Sequence, residues 1–172
     1  MQVYSDLAYR AQAIQYFTYW TPDPKEADFH DAPIAADGKR TATYDLVKQM
    51  NRDIQALRGV FLGARVVAIG HTGDKLPAGT RRYEPAAPVK AVKTDGQGAV
   101  VSHVSNGDRR FLVVVNRDIN APMPLAVELD GSAAAHRVEK DGSLRSVAGN
   151  RFEARLEAGD ICVLTWPAKP GR

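Results

Sequence analysis

"IQYFTYW", residues 14–20, is the run on which the reading of the fold turns. Four aromatics, Tyr16, Phe17, Tyr19 and Trp20, crowd into it, in a chain that is 8% aromatic overall. Aromatic and β-branched residues suit a pleated, packed surface, so the run predicts a strand buried on both faces, closed by Pro22. Upstream, "MQVYSDLAYRAQA" sets Val3, Leu7 and Ala11 at helical spacing, with Tyr4 and Ala8 beside them, and predicts a short amphipathic helix. Downstream lies "TPDPKEADFHDAPIAADGKRT", a loop of about twenty residues with the turn signal Asp37-Gly38; loops of that length inside a compact domain are often functional. Thr41 or Thr43 then caps a helix from about Tyr44 to Arg58. Leu46, Val47, Met50, Ile54 and Leu57 form its apolar face, and Gly59 supplies a stop.

After Gly63 the texture changes. "RVVAIGHTG", "AVVSHVS", "RRFLVVVNRD", "PLAVELD", "HRVEKDG", "RFEARLE" and "DICVLTWP" are short β-rich runs separated by Gly, Asp, Asn and Pro, the pattern of an antiparallel sandwich or barrel. In "RFEARLEAGD" Phe152, Ala154 and Leu156 alternate with Arg151, Glu153, Arg155 and Glu157, so that strand has one wet face. Asp141-Gly142 marks a hairpin turn. The Gly-, Pro- and Ala-rich span "HTGDKLPAGTRRYEPAAPVK" is expected to wrap the junction between the two parts.

The 172 residues include 44% hydrophobic and 25% charged side chains, which suits a globular chain with a real core. A net charge of +3 spread over scattered basic residues lacks the basic stripe of a phosphate-binding surface, so no nucleic-acid partner is expected. No apolar run reaches the length of a membrane span, so no membrane partner is expected either. The N-terminus has no signal-peptide pattern, so the polypeptide as written is expected in the cytoplasm, with export of full-length relatives left open.

Candidate chemistry is sparse. No two histidines stand at i, i+4 spacing and no HxH pair occurs, so no metal and no cofactor is expected. His30, between Asp28 and Asp31, is the one suggestive cluster, against the reading of a solvated loop histidine. "GHTGDK", residues 70–75, lacks phosphate-loop spacing, and its glycines are read as turn residues. Cys162, the single cysteine, is read as a buried hydrophobe. Asp23, Glu26, Asp28 and Asp31 share one flexible loop, a poor frame for paired catalytic carboxylates.

Three stretches together carry a resemblance. "QVYSDLAYRAQAIQYFTYWTP", "DGKRTATYDLVKQMNRDIQAL" and "VFLGARVVAIGHTG" resemble the closing segment of the catalytic barrel in bacterial β-galactosidase-like glycoside hydrolases, of the family 42 type or related. "VVVNRD" and "LEAGDICVLTWP" are similar to the small β-domain that follows such barrels. The resemblance implies that 14–20 is the eighth strand of a (β/α)₈ barrel and that Tyr44 to Arg58 is its eighth helix. One departure is "YRAQAI", where Arg10 and Ala13 stand in a turn that relatives make with glycine. Trp20 would then sit at the strand's C-terminal end, where barrel sites form and an aromatic face stacks on a sugar ring. The catalytic carboxylates of such enzymes lie at the ends of the fourth and seventh strands, and this chain contains neither. The resemblance thus implies a catalytic set of none in this chain.

The expected fold is therefore α+β: an N-terminal helix-strand-helix fragment, the last βα unit of a TIM-type barrel, over 1–63, then an antiparallel β-sandwich over 64–172. The expected function is that of a non-catalytic C-terminal fragment of a glycoside hydrolase, with Trp20 and Tyr19 as substrate-binding residues. For Trp20 the sugar-platform and packing readings both stand, whereas Trp166 is read as a packing residue. Tyr19 should point away from Trp20 across the strand, so only one of them faces a site. Expected partners are a carbohydrate and a complementary barrel chain or oligomer partner, because an unpaired strand beside half-covered helices leaves an apolar patch. The alternatives are a stand-alone β-sandwich module that binds carbohydrate or protein, and a small enzyme of another type.

Overall fold

The continuous apolar run Phe111–Val115 has no polar side for water, and its strand is accordingly covered on both faces. In the computed structural model, which describes residues 1–23, 25 and 29–168, this strand is the centre of a six-stranded antiparallel sheet. Its members are β1 (Arg65–His71), β3 (Ala99–Asn106), β4 (Arg109–Asn116), β6 (His136–Val138), β7 (Leu144–Ser146) and β9 (Ile161–Pro167), in the order β1-β3-β4-β9-β6-β7. A second sheet is formed by β2 (Val89–Lys93), β5 (Met123–Leu129) and β8 (Arg151–Leu156), in the order β2-β5-β8. Three short helices complete the described elements: α1 (Gln2–Ala8), α2 (Ala42–Ala56) and α3 (Arg58–Phe61). The chain is α+β, mostly antiparallel sheet with few helices.

Successive side chains of β3, β4 and β9 feed two separate cores. Val101, Leu112, Val114, Cys162 and Leu164 face the three-stranded sheet, where they meet Val89, Met123, Leu125, Val127 and Leu156. Val100, Val104, Phe111, Val113, Val115, Ile161 and Val163 face the other way and pack on Tyr4, Leu7 and Ala8 of α1 and on Leu57, Val60 and Phe61. The layers are therefore helices, large sheet and small sheet. Burial of this kind stabilises by roughly 25 cal/mol per Å² of apolar surface. Both faces of the central strands contribute.

The short alternating strand reads as its sequence suggests. Along β8, Phe152 and Ala154 are half-buried and Leu156 buried, while Arg151, Glu153 and Arg155 are exposed. Asp141-Gly142 turns the β6–β7 hairpin, with Gly142 at φ 85° and Val138 opposite Leu144. Cys162 is buried, and that burial pushes its thiol up to about 12, in line with an inert packing residue.

"VVVNRD" ends β4 in a polar knot. Asn116 Nδ2 donates to the carbonyls of Ala121 (2.9 Å) and Glu157 (3.1 Å), and its Oδ1 accepts from Asp118 N (2.9 Å). Arg117 Nη2 donates to Thr72 O (3.2 Å) and Lys75 O (3.1 Å). One side-chain amide therefore fixes the exit of β4 to the β8–β9 turn. The next residue ties that exit to the loop after β1.

The open edges of both sheets are interrupted or charged, which hinders pairing with another chain. β1 carries a register shift between Val66 and Ala68, and β2 one between Val89 and Ala91. Lys90 and Lys93 stand exposed on β2, and Arg151 and Arg155 on β8. β7 is only three residues long and fully exposed.

Two expectations are corrected. Residues 14–20 form no strand: their one bridge is the isolated parallel pair Trp20↔Ile34. A run with strand propensity becomes a strand only when neighbours hydrogen-bond it, and no parallel strand partner lies among the described residues. The helix expected over 44–58 runs Ala42–Ala56, and Gly59 does not stop it, since α3 follows at once and the chain turns at Gly63, φ 74°. Thr41 stands at the N-cap position, but its hydroxyl donates to Ala32 O (2.7 Å) instead of capping the helix.

The glycines of "GHTG" serve close packing. His71 N donates to Arg81 O and Tyr83 N to His71 O, both at 2.9 Å, which lays residues 81–83 along β1. A Cβ on Gly70 would stand 2.6 Å from Tyr83 Cα and 2.7 Å from Tyr83 N. Both are backbone atoms that cannot swing aside. Gly70→Ala is therefore expected to destabilise by about 1–3 kcal/mol. Gly59→Ala, where nothing lies within 4 Å of the added Cβ, should be stabilising by about 0.5–1 kcal/mol. Urea midpoints of the two variants check the contrast, and equal midpoints would remove the close approach as the reason for Gly70.

Candidate functional site

The aromatic segment is held at both ends and exposed between. α1 is anchored by Tyr4, Leu7 and Ala8, all buried. It hands the chain to Arg10, which sits in the left-handed region at φ 83°. Gln12 then ties the segment down, donating through Nε2 to Phe61 O (3.1 Å) and accepting from Gly63 N at Oε1 (2.7 Å). Tyr16 OH donates to Asn51 Oδ1 of α2 (3.0 Å). Further along, Ile34 N donates to Tyr19 O (3.0 Å) and Thr21 N to Ile34 O (2.8 Å). Thr18 Oγ1 donates to Trp20 O.

Between those ties the side chains stand in the open. Phe17 is 81% exposed, Tyr19 59% and Trp20 48%. The two residues expected to bind substrate are thus both accessible. They do not divide into one buried and one exposed face, because the segment has no ladder to enforce a pleat. Phe29 (46% exposed) meets Phe17 edge to face, ring centroids 5.5 Å apart. Beneath them is a recess of about 430 Å³ lined by Val3, Ile14, Tyr16, Phe29, Pro33 and Val47. Leu46 of α2 is 71% exposed on the surface nearby in sequence, so the apolar face expected for that helix is only partly covered.

Polar side chains are as prominent in the lining of the recess as apolar ones. Asp6 and Asp31 contribute to its lining, as does His30. Asp23 and Asp31 are both exposed, and Glu26 and Asp28 lie outside the described residues. Among the described residues no group of three or more His, Cys, Asp or Glu side chains could hold a metal ion.

A buried staple supports this region. Tyr4 OH donates to Asp53 Oδ2 (2.8 Å), and Gln49 Nε2 donates to Asp53 Oδ1 (2.8 Å). Burial, then the hydrogen bond to the Asp53 carboxylate, raises the Tyr4 phenol well above its usual range. α1 and α2 are thereby joined by a charge-assisted hydrogen bond on the core side of the aromatic segment.

A second concavity went unread in the sequence. At one end of the sandwich, a cleft of about 620 Å³ is bounded by His103, Arg110 and Trp166 of the large sheet, with Ala87, Pro88 and Ala133 opposite. Arg110 and Trp166 lie far apart in the chain, yet they are direct cross-strand partners in the β4–β9 register. His103 Nε2 and Tyr83 OH share a hydrogen bond of 2.7 Å, and the His103 ring meets Trp166 edge to face, centroids 6.5 Å apart. Trp166 itself is 4% exposed, as expected of a packing residue. The available sequence signal was the shared alternation of the two runs, which puts residues 110, 112 and 114 and residues 162, 164 and 166 on single faces.

No family model, no curated protein and no solved structure matches the chain. The chemistry of both concavities therefore rests on their own residues.

His103 and His71 are buried, and burial lowers both imidazole pKa values; at His71 the Arg117 charge adds to the effect. In the unfolded chain histidine titrates near about 6.5. Below that pH the unfolded state binds protons the folded state refuses, so stability falls as pH drops from about 6.5 towards the lower folded values, and is fully present above. The melting temperature is expected to drop between pH 7.5 and 5. His103→Gln should flatten that slope, and a slope unchanged in the variant would show that His103 does not carry it.

Proposed function

We propose that this chain supplies the closing βα segment and the accessory β-sandwich of a barrel-type, β-galactosidase-like glycoside hydrolase. In this role it presents Trp20 and Tyr19 as a sugar-facing wall and contributes no catalytic carboxylate. The observation that carries the reading is the segment 14–20: aromatic, bridged once in parallel to Ile34, and open at Phe17, Tyr19 and Trp20. Such a segment lacks what a barrel strand needs, hydrogen-bonded neighbours on both edges, and an apolar surface left open in this way usually meets a partner. The resemblance in "YFTYW" and in "DGKRTATYDLVKQMN" supplies the identity of that partner, a (β/α) barrel whose own strands carry the catalytic pair.

The second reading is a stand-alone β-sandwich binding module. It is favoured by the two cores, one on each face of the large sheet, which are built entirely from residues of this chain. In that case α1 and α3 act as the sheet's own cover.

The readings separate in solution. The barrel reading expects the isolated chain to bind Nile red, to self-associate in sedimentation, and to show no turnover of nitrophenyl β-galactoside. Replacing Phe17 and Trp20 together by Ser should reduce dye binding severalfold while changing stability by no more than about 0.5 kcal/mol, since both are exposed. It also expects the coding sequence before Met1 to supply further βα units with carboxylates ending two strands. A monomer that binds no dye, beside an unrelated coding sequence, would overturn the barrel reading and leave the module.

A further inference from the structure

The cleft at the Trp166 end of the sandwich is a separate matter from the aromatic segment, and it has its own chemistry. Its floor is the inward face of the large sheet, reached by Ala68 of β1, His103 of β3, Arg110 of β4 and Trp166 of β9. Ala68 stands opposite His103, and Arg110 opposite Trp166, in the strand registers. Its other walls come from 86–88 and 132–134, and none of the lining residues belongs to β2, β5 or β8. The small sheet therefore stops short of this part of the face.

We propose that this cleft binds a small aromatic monocarboxylate, with its ring among Ala87, Pro88 and Ala133, the little of Trp166 that reaches the cleft beside it, and its carboxylate on Arg110. At about 620 Å³ the space falls within the roughly 300–1,000 Å³ typical of small-molecule sites. The opposite walls are largely alanine and proline, which leave width and, Ser132 apart, offer no side-chain hydrogen bonds. A sugar there would bury hydroxyls without partners, at a cost that disfavours it. An apolar ring meets no such penalty and gains an aromatic neighbour.

The single anionic group follows from the charges. Among the described residues Arg110 is the one Lys or Arg that lines the cleft, and none of the described Asp or Glu side chains lines it to neutralise that charge. Among the described residues its guanidinium donates through Nη1, to Arg109 O at 3.0 Å and to Gly107 O at 3.4 Å. The edge formed by Nε and Nη2 suits a carboxylate in bidentate fashion. Ser132 adds a hydroxyl on the facing wall. His103 is already engaged by Tyr83 (2.7 Å). Burial lowers the pKa of that imidazole, which disfavours a second positive charge beside Arg110.

The chain has two tryptophans, so Trp20→Phe leaves Trp166 as the only indole emitter. Titrating this variant with 2-naphthoate is expected to change Trp166 emission saturably, and 2-naphthamide, the same ring without the charge, should bind about tenfold more weakly. Arg110→Gln should lower naphthoate affinity by about the same factor and leave naphthamide unaffected. Ala134→Leu, at an exposed wall position, should weaken both. Comparing the two probes on unaltered Arg110 keeps the test valid if Arg110→Gln does not fold. The proposal is overturned if the folded protein binds neither probe up to about 10 mM. It is equally overturned if acid and amide bind alike. A failure here leaves the reading of residues 14–20 untouched, because Phe17, Tyr19 and Trp20 line no part of this cleft.

Discussion

The rest of the structure depends on the double burial of β3, β4 and β9. Each of these strands is apolar on both faces, and a backbone with no polar side must be covered from two directions at once. The three-stranded sheet covers one face and the helices α1 and α3 the other. Because the helices come from the first third of the chain, the N-terminal region is fastened to the sheet by packing and not by a strand ladder. That is why Tyr4, Leu7 and Ala8, like Leu57, Val60, Phe61 and Ala64, are buried while Phe17, Tyr19 and Trp20 stand exposed. The aromatic run is held by Gln12, Tyr16 and Ile34, which fix its path without covering its side chains.

Polar groups decide how the layers are locked in place. Tyr4 and Asp53 join α1 to α2 below the surface, where a hydrogen bond to a carboxylate is shielded from water. Asn116 satisfies two carbonyls and one amide at the far end of β4. In each case one side chain spans segments distant in sequence. Breaking either would leave buried polar atoms unmatched, which costs more than the bond itself contributes. The cleft at the Trp166 end differs: its lining is mainly apolar, with His103, Arg110 and Ser132 among its few polar side chains.

Much of the sheet was legible because its strands carry their own evidence. The alternation of Phe152, Ala154 and Leu156 with charged neighbours, and the apolar runs at 99–105, 109–118 and 160–167, correspond to β8, β3, β4 and β9. β2 was missed because Val89–Lys93 follows a Gly-, Pro- and Ala-rich span and becomes a strand through its pairing with β5. β7 is three exposed residues made regular by the hairpin turn. At 14–20 the error ran the other way, since propensity describes what a residue tolerates in a sheet and cannot supply the neighbouring strand. Tyr19 and Trp20 stood out by composition alone. Arg110 and Trp166 did not, because they become neighbours only through the β4–β9 register, and register is a property of the assembled sheet.

The bulges and charges on the sheet edges bear on how this chain meets other copies of itself. β1 and β2 are bulged, β8 is lined with arginines, and β7 is too short to template a partner. Sheet extension needs a row of free backbone groups in straight register, which is interrupted at β1 and β2 and too short at β7, while β8 keeps a straight register but sets Arg151, Glu153 and Arg155 along it. Exposed large apolar side chains instead cluster at Phe17, Tyr19, Trp20 and Phe29, with others, such as Leu46, Leu62, Val67 and Ile119, standing singly. Contact through one such cluster uses it up, so an association built on it closes at two chains, whereas a sheet edge is regenerated by every strand added to it.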